Sequence, residues 1–200
     1  LREIKRQVEN AGLGLFEIML NDLYSSPTLA LDLPERDDDT HEFKQFIENL
    51  GRAGIGNTTY AWCTGGMYAT GESTIRECAT RDFQLAKAQE APLAYEREYS
   101  EDDMWSSYER FIEEVLPVAE RAGVRLQLHP NDPPVTHQGI ARLFSSTQAY
   151  RRALEIGDHS QYSAILFCVG TWAEMAGPDG TGEDIAAALS EFTVAGHVHQ

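Results

Sequence analysis

Apolar residues along this chain switch repeatedly between helical spacing and short continuous runs. Leu1, Ile4 and Val8 share one helical face over residues 1–10, and Ala11-Gly12 is a stop. Residues 13–20, "LGLFEIML", form an apolar run of strand length. Thr40 is a candidate N-cap for a helix over 40–53. Phe43, Phe46, Ile47 and Leu50 line its face, and Gly51 and Gly54 end it. "GNTTYAW", 56–62, reads as a strand, 63–82 as a Gly/Thr-rich loop and 83–91 as a short helix. Residues 101–122 carry the strongest helical pattern, with Tyr108, Phe111, Ile112, Val115, Leu116 and Ala119 on one face. Gly123 stops this helix, and Pro117 should kink or split it. "VRLQLH" (124–129) is a strand, 145–155 a helix, "SAILFC" (163–168) a strand, 177–182 a Gly-rich loop and 183–194 a helix. The closing "GHVHQ" has the look of another strand beginning, so the sequence reads as an internal piece of a longer protein.

Strands alternating with helices imply parallel strands joined by right-handed crossovers. About five strands suit either an open doubly wound sheet or an incomplete (β/α)8 TIM barrel. The first lacks its signature, because no G-x-G-x-x-G follows the first strand and no phosphate-loop motif occurs. The barrel gains from Trp62, His129 and Cys168, each at the C-terminal end of an expected strand, where barrels carry their sites. We therefore expect an α/β fold: one domain over 1–200, a TIM barrel incomplete at both ends.

The 200 residues suffice for one core, and their net charge is −16. With no basic surplus, nucleic acid is not an expected partner, and neither is an anionic membrane surface. Most of the acid reads as solvated helix face, as in "ERDDD" (35–39) and "EREYSEDD" (96–103). Three widely spaced cysteines, Cys63, Cys78 and Cys168, argue against a disulfide framework or zinc ribbon. No apolar stretch is long enough to span a bilayer, and a cytoplasmic setting is the expectation.

Candidate chemistry centres on "LQLHPNDPPV", 126–135. Alternation puts Val124, Leu126 and Leu128 on one side of the strand and Arg125, Gln127 and His129 on the other. In a barrel the second set points inward. His129 is either a strand-end cap or a ligand, and the residues alone leave both open. Pro130, Pro133 and Pro134 stiffen the loop after it, while Asn131 and Asp132 can make turn hydrogen bonds or orient the imidazole. Cys168 is either a small core hydrophobe or a metal-binding thiolate. His197 and His199, two apart, would face the same way from a strand. Glu17, inside an apolar run, needs a partner or a polar barrel interior. Glu72, Glu77, Asp102 and Asp103 read as solvated acids, and His41, His137 and His159 as surface residues.

Three stretches together, "FIEEVLPVAERAGVRLQLHPNDPP", "LFSSTQAYRRALE" and "LFCVGTWAEM", resemble the mannonate dehydratase family of the xylose-isomerase-like barrels. That family shows a helix ending P-V-A-E-x-x-G-V, a strand ending H-P-x-D-P-P and a strand ending C-x-G, in this order. Weaker likenesses reach back to "LREIKRQVENAGL" and so cover almost the whole chain. The resemblance implies a TIM barrel holding one divalent metal, most often Mn2+, with Fe2+ and Zn2+ as alternatives. His129 and Cys168 match two family ligands, and His199 is the best match to a third, with His197 or a residue past Gln200 as the alternatives. A fourth ligand, an Asp, and the acid/base residues follow later in the family's order. Arg76 and Trp62 fall where members contact substrate. The implied substrate is a small sugar acid, D-mannonate, dehydrated to 2-keto-3-deoxy-D-gluconate. "YAW" replaces the family's Tyr-Asn-Trp and "CTGGMYATGEST" departs from its loop. A sugar isomerase or epimerase on the same barrel therefore stays open. So does a truncated, non-catalytic barrel whose open sheet edges would self-associate as a homo-oligomer.

Overall fold

In a computed structural model, residues 1–177 and 180–199 are described. Three strands run parallel in the order in which the chain makes them: β1 (Asn57–Ala61), β4 (Arg125–His129) and β5 (Ser163–Ile165). Val198 then bridges Ile165, also in parallel, where the sequence pattern places the start of the next strand. Neighbours in sequence are neighbours in the sheet, which is the order of one arc of a barrel. No closed barrel forms among the described residues.

The sheet has one apolar and one polar face. Tyr60, Leu126, Leu128 and Ile165 belong to the core cluster. Helices α3 (Arg36–Ala53) and α5 (Glu101–Ala122) pack together over this side. Phe111 of α5 lies 5.4 Å from Phe43, 5.6 Å from Tyr60 and 4.9 Å from Trp62, measured between ring centroids. A second aromatic stack, Phe167–Trp172–Tyr150, joins α6 (Thr147–Ile156) and α7 (Val169–Glu174) to the end of β5. Helix α8 (Ile185–Val194) adds Phe192 to it. The opposite face carries the row Asn57, Thr59, Ala61 beside Arg125, Gln127, His129, in register. Gln127 is fully buried there and donates to the His199 carbonyl at 3.0 Å.

Local chemistry sets the boundaries. Ser100 and Asp103 close a capping box at the start of α5. Asp103 is held down to about 2 by its hydrogen bond from Arg97 and by the Ser100 donors. Pro117 lies inside α5, which stays one helix. Helix α3 begins at Arg36, so Thr40 is a buried residue within it and not its N-cap. The acids of "ERDDD" are partly structural, because Arg36 is buried and pairs with Asp32, Asp37 and Glu114. Gly51 does not end α3. A Cβ there would stand 2.5 Å from the Ala122 carbonyl, so glycine is what lets α3 and α5 approach.

Three expected elements differ. Residues 13–20 are not a strand. They lie beside β1 but meet it through side chains, Asn57 to the Phe16 carbonyl and Thr59 to Glu17, without a backbone ladder. Leu13, Phe16 and Met19 are consequently exposed. The expected loop 63–82 contains a hairpin, β2 (Gly71–Ile75) with β3 (Cys78–Asp82). Its turn residues, Arg76 and Glu77, both have positive φ. That is the geometry of a two-residue hairpin turn without the Asn-Gly that usually announces it. The strand at 163–168 stops at Ile165, and Cys168 becomes the N-cap of α7. Short helices α1 (Arg2–Asn10), α2 (Pro27–Ala30) and α4 (Leu85–Glu90) complete the set. Among the described residues no helix is long and apolar enough to cross a membrane.

Candidate functional site

The C-terminal ends of β1, β4 and β5 meet around Tyr24. Its carbonyl accepts from Ala61 N at 2.7 Å, which places it at the end of β1. Its ring stands edge-on to His129, 6.2 Å between centroids. Burial pushes the Tyr24 hydroxyl well above the usual phenol range, and Cys63, Cys168, Asp132 and Glu17 around it push further. It stays protonated at neutral pH and offers an O–H donor.

His129 and Cys168 have donor atoms suited to a divalent ion. His129 Nδ1 lies 2.7 Å from the Pro130 carbonyl. A carbonyl only accepts, so Nδ1 carries the proton and Nε2 keeps its lone pair. Burial holds the imidazole below its ordinary range and favours this neutral form. Cys168 Sγ accepts from Thr171 Oγ1 at 3.3 Å, a contact that orients the sulfur. A neutral imidazole nitrogen and a cysteine sulfur are an ordinary donor pair for such a metal.

His199 follows Val198, which bridges Ile165, the partner of Leu128, and is drawn below its usual range first by burial and then by Arg125. His197 is buried and donates from Nδ1 to the Ser163 carbonyl at 3.0 Å. Among the described residues no three His, Cys, Asp or Glu side chains come within metal-holding reach of one another. Trp62 is 2% exposed, and its indole donates to the Met104 carbonyl at 3.2 Å, within the aromatic core. Arg76 sits exposed at the hairpin tip. Glu17 accepts from Thr59 at 2.8 Å on the polar face of the sheet. The three cysteines are unpaired.

Sequence reading missed two clamps. Asn131 is fully buried. Its Nδ2 donates to the Trp62 carbonyl at 3.0 Å and its Oδ1 accepts from Phe144 N at 2.9 Å. It ties the end of β1 to both limbs of the proline loop. The second clamp corrects the surface reading of His137, which is 5% exposed and stacked on Tyr68 at 4.1 Å. Arg142, also buried, donates to His137 Nε2 from two nitrogens. His41 and His159 are exposed, as expected. No periodicity marks a buried imidazole in a loop, and its stacking partner Tyr68 is distant in the sequence, so no sequence signal pointed to it.

His137 has a pH consequence. Burial, then the Arg142 charge, draws its pKa from 6.5 to about 4. The unfolded chain therefore takes up a proton in a range where the folded one does not. Stability contributed by neutral His137 is full above pH 6.5, falls as pH drops and is lost by about pH 4. His129, His197 and His199 shift in the same direction and add to the slope. Urea midpoints near pH 7 and about pH 4.5 should differ less in His137→Gln than in the parent protein. An unchanged difference would mean that His137 titrates normally.

Taken together, a parallel sheet arc in sequential order, helices on its apolar side and an imidazole and a thiol at the strand C-termini define an α/β protein with a candidate metal-binding rim. The sequence profile of the D-mannonate dehydratase (UxuA) family matches residues 73–192. A mannonate dehydratase of Streptococcus suis (strain 05ZYH33) is 28% identical over 199 residues, covering 86% of this chain and 53% of its own length. The crystal structure of mannonate dehydratase from Streptococcus suis serotype 2 superposes with a TM-score of 0.81 at 26% identity, over 98% of this chain and 56% of that one. A xylose isomerase-like TIM barrel protein from Mycobacterium smegmatis, 12% identical, shares the fold with a TM-score of 0.54, over 95% of this chain and 52% of that one. The chain belongs to the D-mannonate dehydratase family. It spans about half the length of the curated relatives it matches.

Proposed function

We propose that this chain carries the metal-binding rim of a hydro-lyase that dehydrates a sugar acid, D-mannonate, to 2-keto-3-deoxy-D-gluconate. The observation that carries the reading is the pair His129 and Cys168, with their donor atoms prepared at adjacent strand ends, within the span of the family match. His199 is the third ligand in this reading, and it follows Val198, which bridges the end of β5. Mn2+ is the metal the family resemblance favours, and the sulfur donor also suits Fe2+ or Zn2+.

The elimination removes the proton beside the carboxylate and expels the hydroxyl from the next carbon; the enol so formed becomes the 2-keto-3-deoxy acid. A bound divalent ion supplies Lewis-acid stabilisation of the negative charge that develops when that proton leaves. Pro130 fixes the His129 ring through Nδ1, and Thr171 orients the Cys168 sulfur. The neutral Tyr24 hydroxyl offers a hydrogen-bond donor beside them. The Asn131 clamp keeps the end of β1 and the proline loop at fixed separation, so these groups are held before substrate arrives.

Product analysis tests this directly. Incubation of the purified protein with Mn2+ and D-mannonate should yield a 2-keto-3-deoxy acid. Ketose–aldose interconversion in a panel of sugars, with no such acid formed, would replace the lyase reading by an isomerase or epimerase one. No turnover and no bound metal would favour a non-catalytic barrel.

A further inference from the structure

A cleft of about 530 Å3 opens beside the candidate rim, within the range of small-molecule sites. Its walls come from the loops after three strands. The hairpin base contributes Tyr68, Arg81 and Asp82, the proline loop Asp132 and Pro133, and α7 contributes Glu174. Asp132 lies three residues beyond His129, and Glu174 sits on the helix that Cys168 caps. The cleft therefore continues from the elements that bear both candidate ligands.

Most polar side chains around the rim are used by the fold. Asn131, Arg142, His137 and Thr171 all have protein partners. Asp132, Glu174 and Arg81 differ, because none of them forms an ion pair among the described residues. Tyr68 presents a braced ring: His137 is stacked on one face, nearly parallel at 14°, and is itself held by Arg142. Its backbone N–H is tied to the Asp132 carbonyl at 3.4 Å. A rigid aromatic wall with carboxylates in the same lining is the chemistry that recognises polyols. C–H faces pack on the ring, and a carboxylate accepts hydrogen bonds from neighbouring hydroxyls. Asp82, Asp132 and Glu174 outnumber Arg81 in this lining, so the carboxylate end of a sugar acid is better placed at the rim.

We propose that this cleft is the subsite for the hydroxyl-bearing tail of an open-chain sugar acid, with Tyr68 as its apolar wall and Asp132 and Glu174 as its hydroxyl acceptors. The inference rests on the sugar-acid reading above and adds to it the residues that sense chain length. Selection for a six-carbon acid over a four-carbon one arises here, because the shorter acid does not reach the cleft.

Calorimetric titration of the Mn2+-loaded full chain with D-mannonate and with D-erythronate tests this. The parent protein should bind mannonate at least about tenfold more tightly than erythronate. Glu174→Gln should weaken mannonate about tenfold and move erythronate less than about twofold. Tyr68→Ala should do the same. Glu174 is exposed, so its variant remains informative if Tyr68→Ala does not fold. Equal shifts for both acids, or none for either, overturn the proposal, as does a parent protein without the preference. Dehydration of mannonate with chain-length selection unchanged in Glu174→Gln would sink the subsite and leave the function standing. Selection that collapses in Glu174→Gln, with no 2-keto-3-deoxy acid ever formed, would sink the function and leave the subsite.

Discussion

His129→Ala will lower divalent-metal affinity by about a hundredfold or more and abolish formation of the 2-keto-3-deoxy acid, while leaving the fold intact. The imidazole is half-buried and its hydrogen bond runs to the adjacent Pro130 carbonyl, so removing it strands no distant partner. That loss of affinity is a lower bound, because removing a group that merely orients a ligand already costs about 10–100-fold. Metal content after dialysis, product formation and a urea unfolding curve on the same preparation separate the outcomes. Full metal retention in the variant would remove His129 from the site. Loss of metal together with a large drop in stability would make it a structural residue.

Asn131→Ala will cost about 3 kcal/mol of stability and disturb the rim with it. The substitution leaves the Trp62 carbonyl and the Phe144 N–H without their side-chain partner in a fully buried setting. Each such group carries about 1–3 kcal/mol of desolvation penalty, and the carbonyl has a second lone pair to soften its share. Urea denaturation measures the loss. A change under about 1 kcal/mol would mean that water enters and satisfies both groups. Asn131→Asp is the instructive companion. It keeps the acceptor for Phe144 N but turns the donor to Trp62 into a buried carboxylate oxygen facing a carbonyl, and should be at least as costly.

These two neighbours show what the sequence made legible. Alternation in "VRLQLH" placed Gln127 and His129 on the polar face, and the register with β1 agrees. Helical spacing found α5, whose face is the one that packs on Tyr60 and Trp62. The barrel class rested on polar residues ending strands, and the sheet shows a sequential arc of it. The misses have physical causes. An apolar run such as "LGLFEIML" declares that it wants burial, not that a ladder partner exists beside it. The hairpin at 71–82 is polar on both strands and turns on Arg76-Glu77, so neither alternation nor turn chemistry marks it. Asn131 reads as a turn residue from its neighbours Pro130 and Pro133, yet its partners are Trp62 and Phe144, distant in sequence. Contacts of that range depend on how the sheet brings β1 and β4 together. The same holds for His137, whose burial depends on Tyr68 and Arg142.

In the function proposed above, Cys168 and His129 hold one divalent ion at the strand ends. Cobalt substitution reads this out, because a thiolate bound to Co2+ gives a sulfur-to-metal charge-transfer band in the near ultraviolet. One equivalent of Co2+ should produce that band in the parent protein, and Cys168→Ser should remove it. Stoichiometric Co2+ binding without the band, or a band that survives in Cys168→Ser, would remove Cys168 from the metal site.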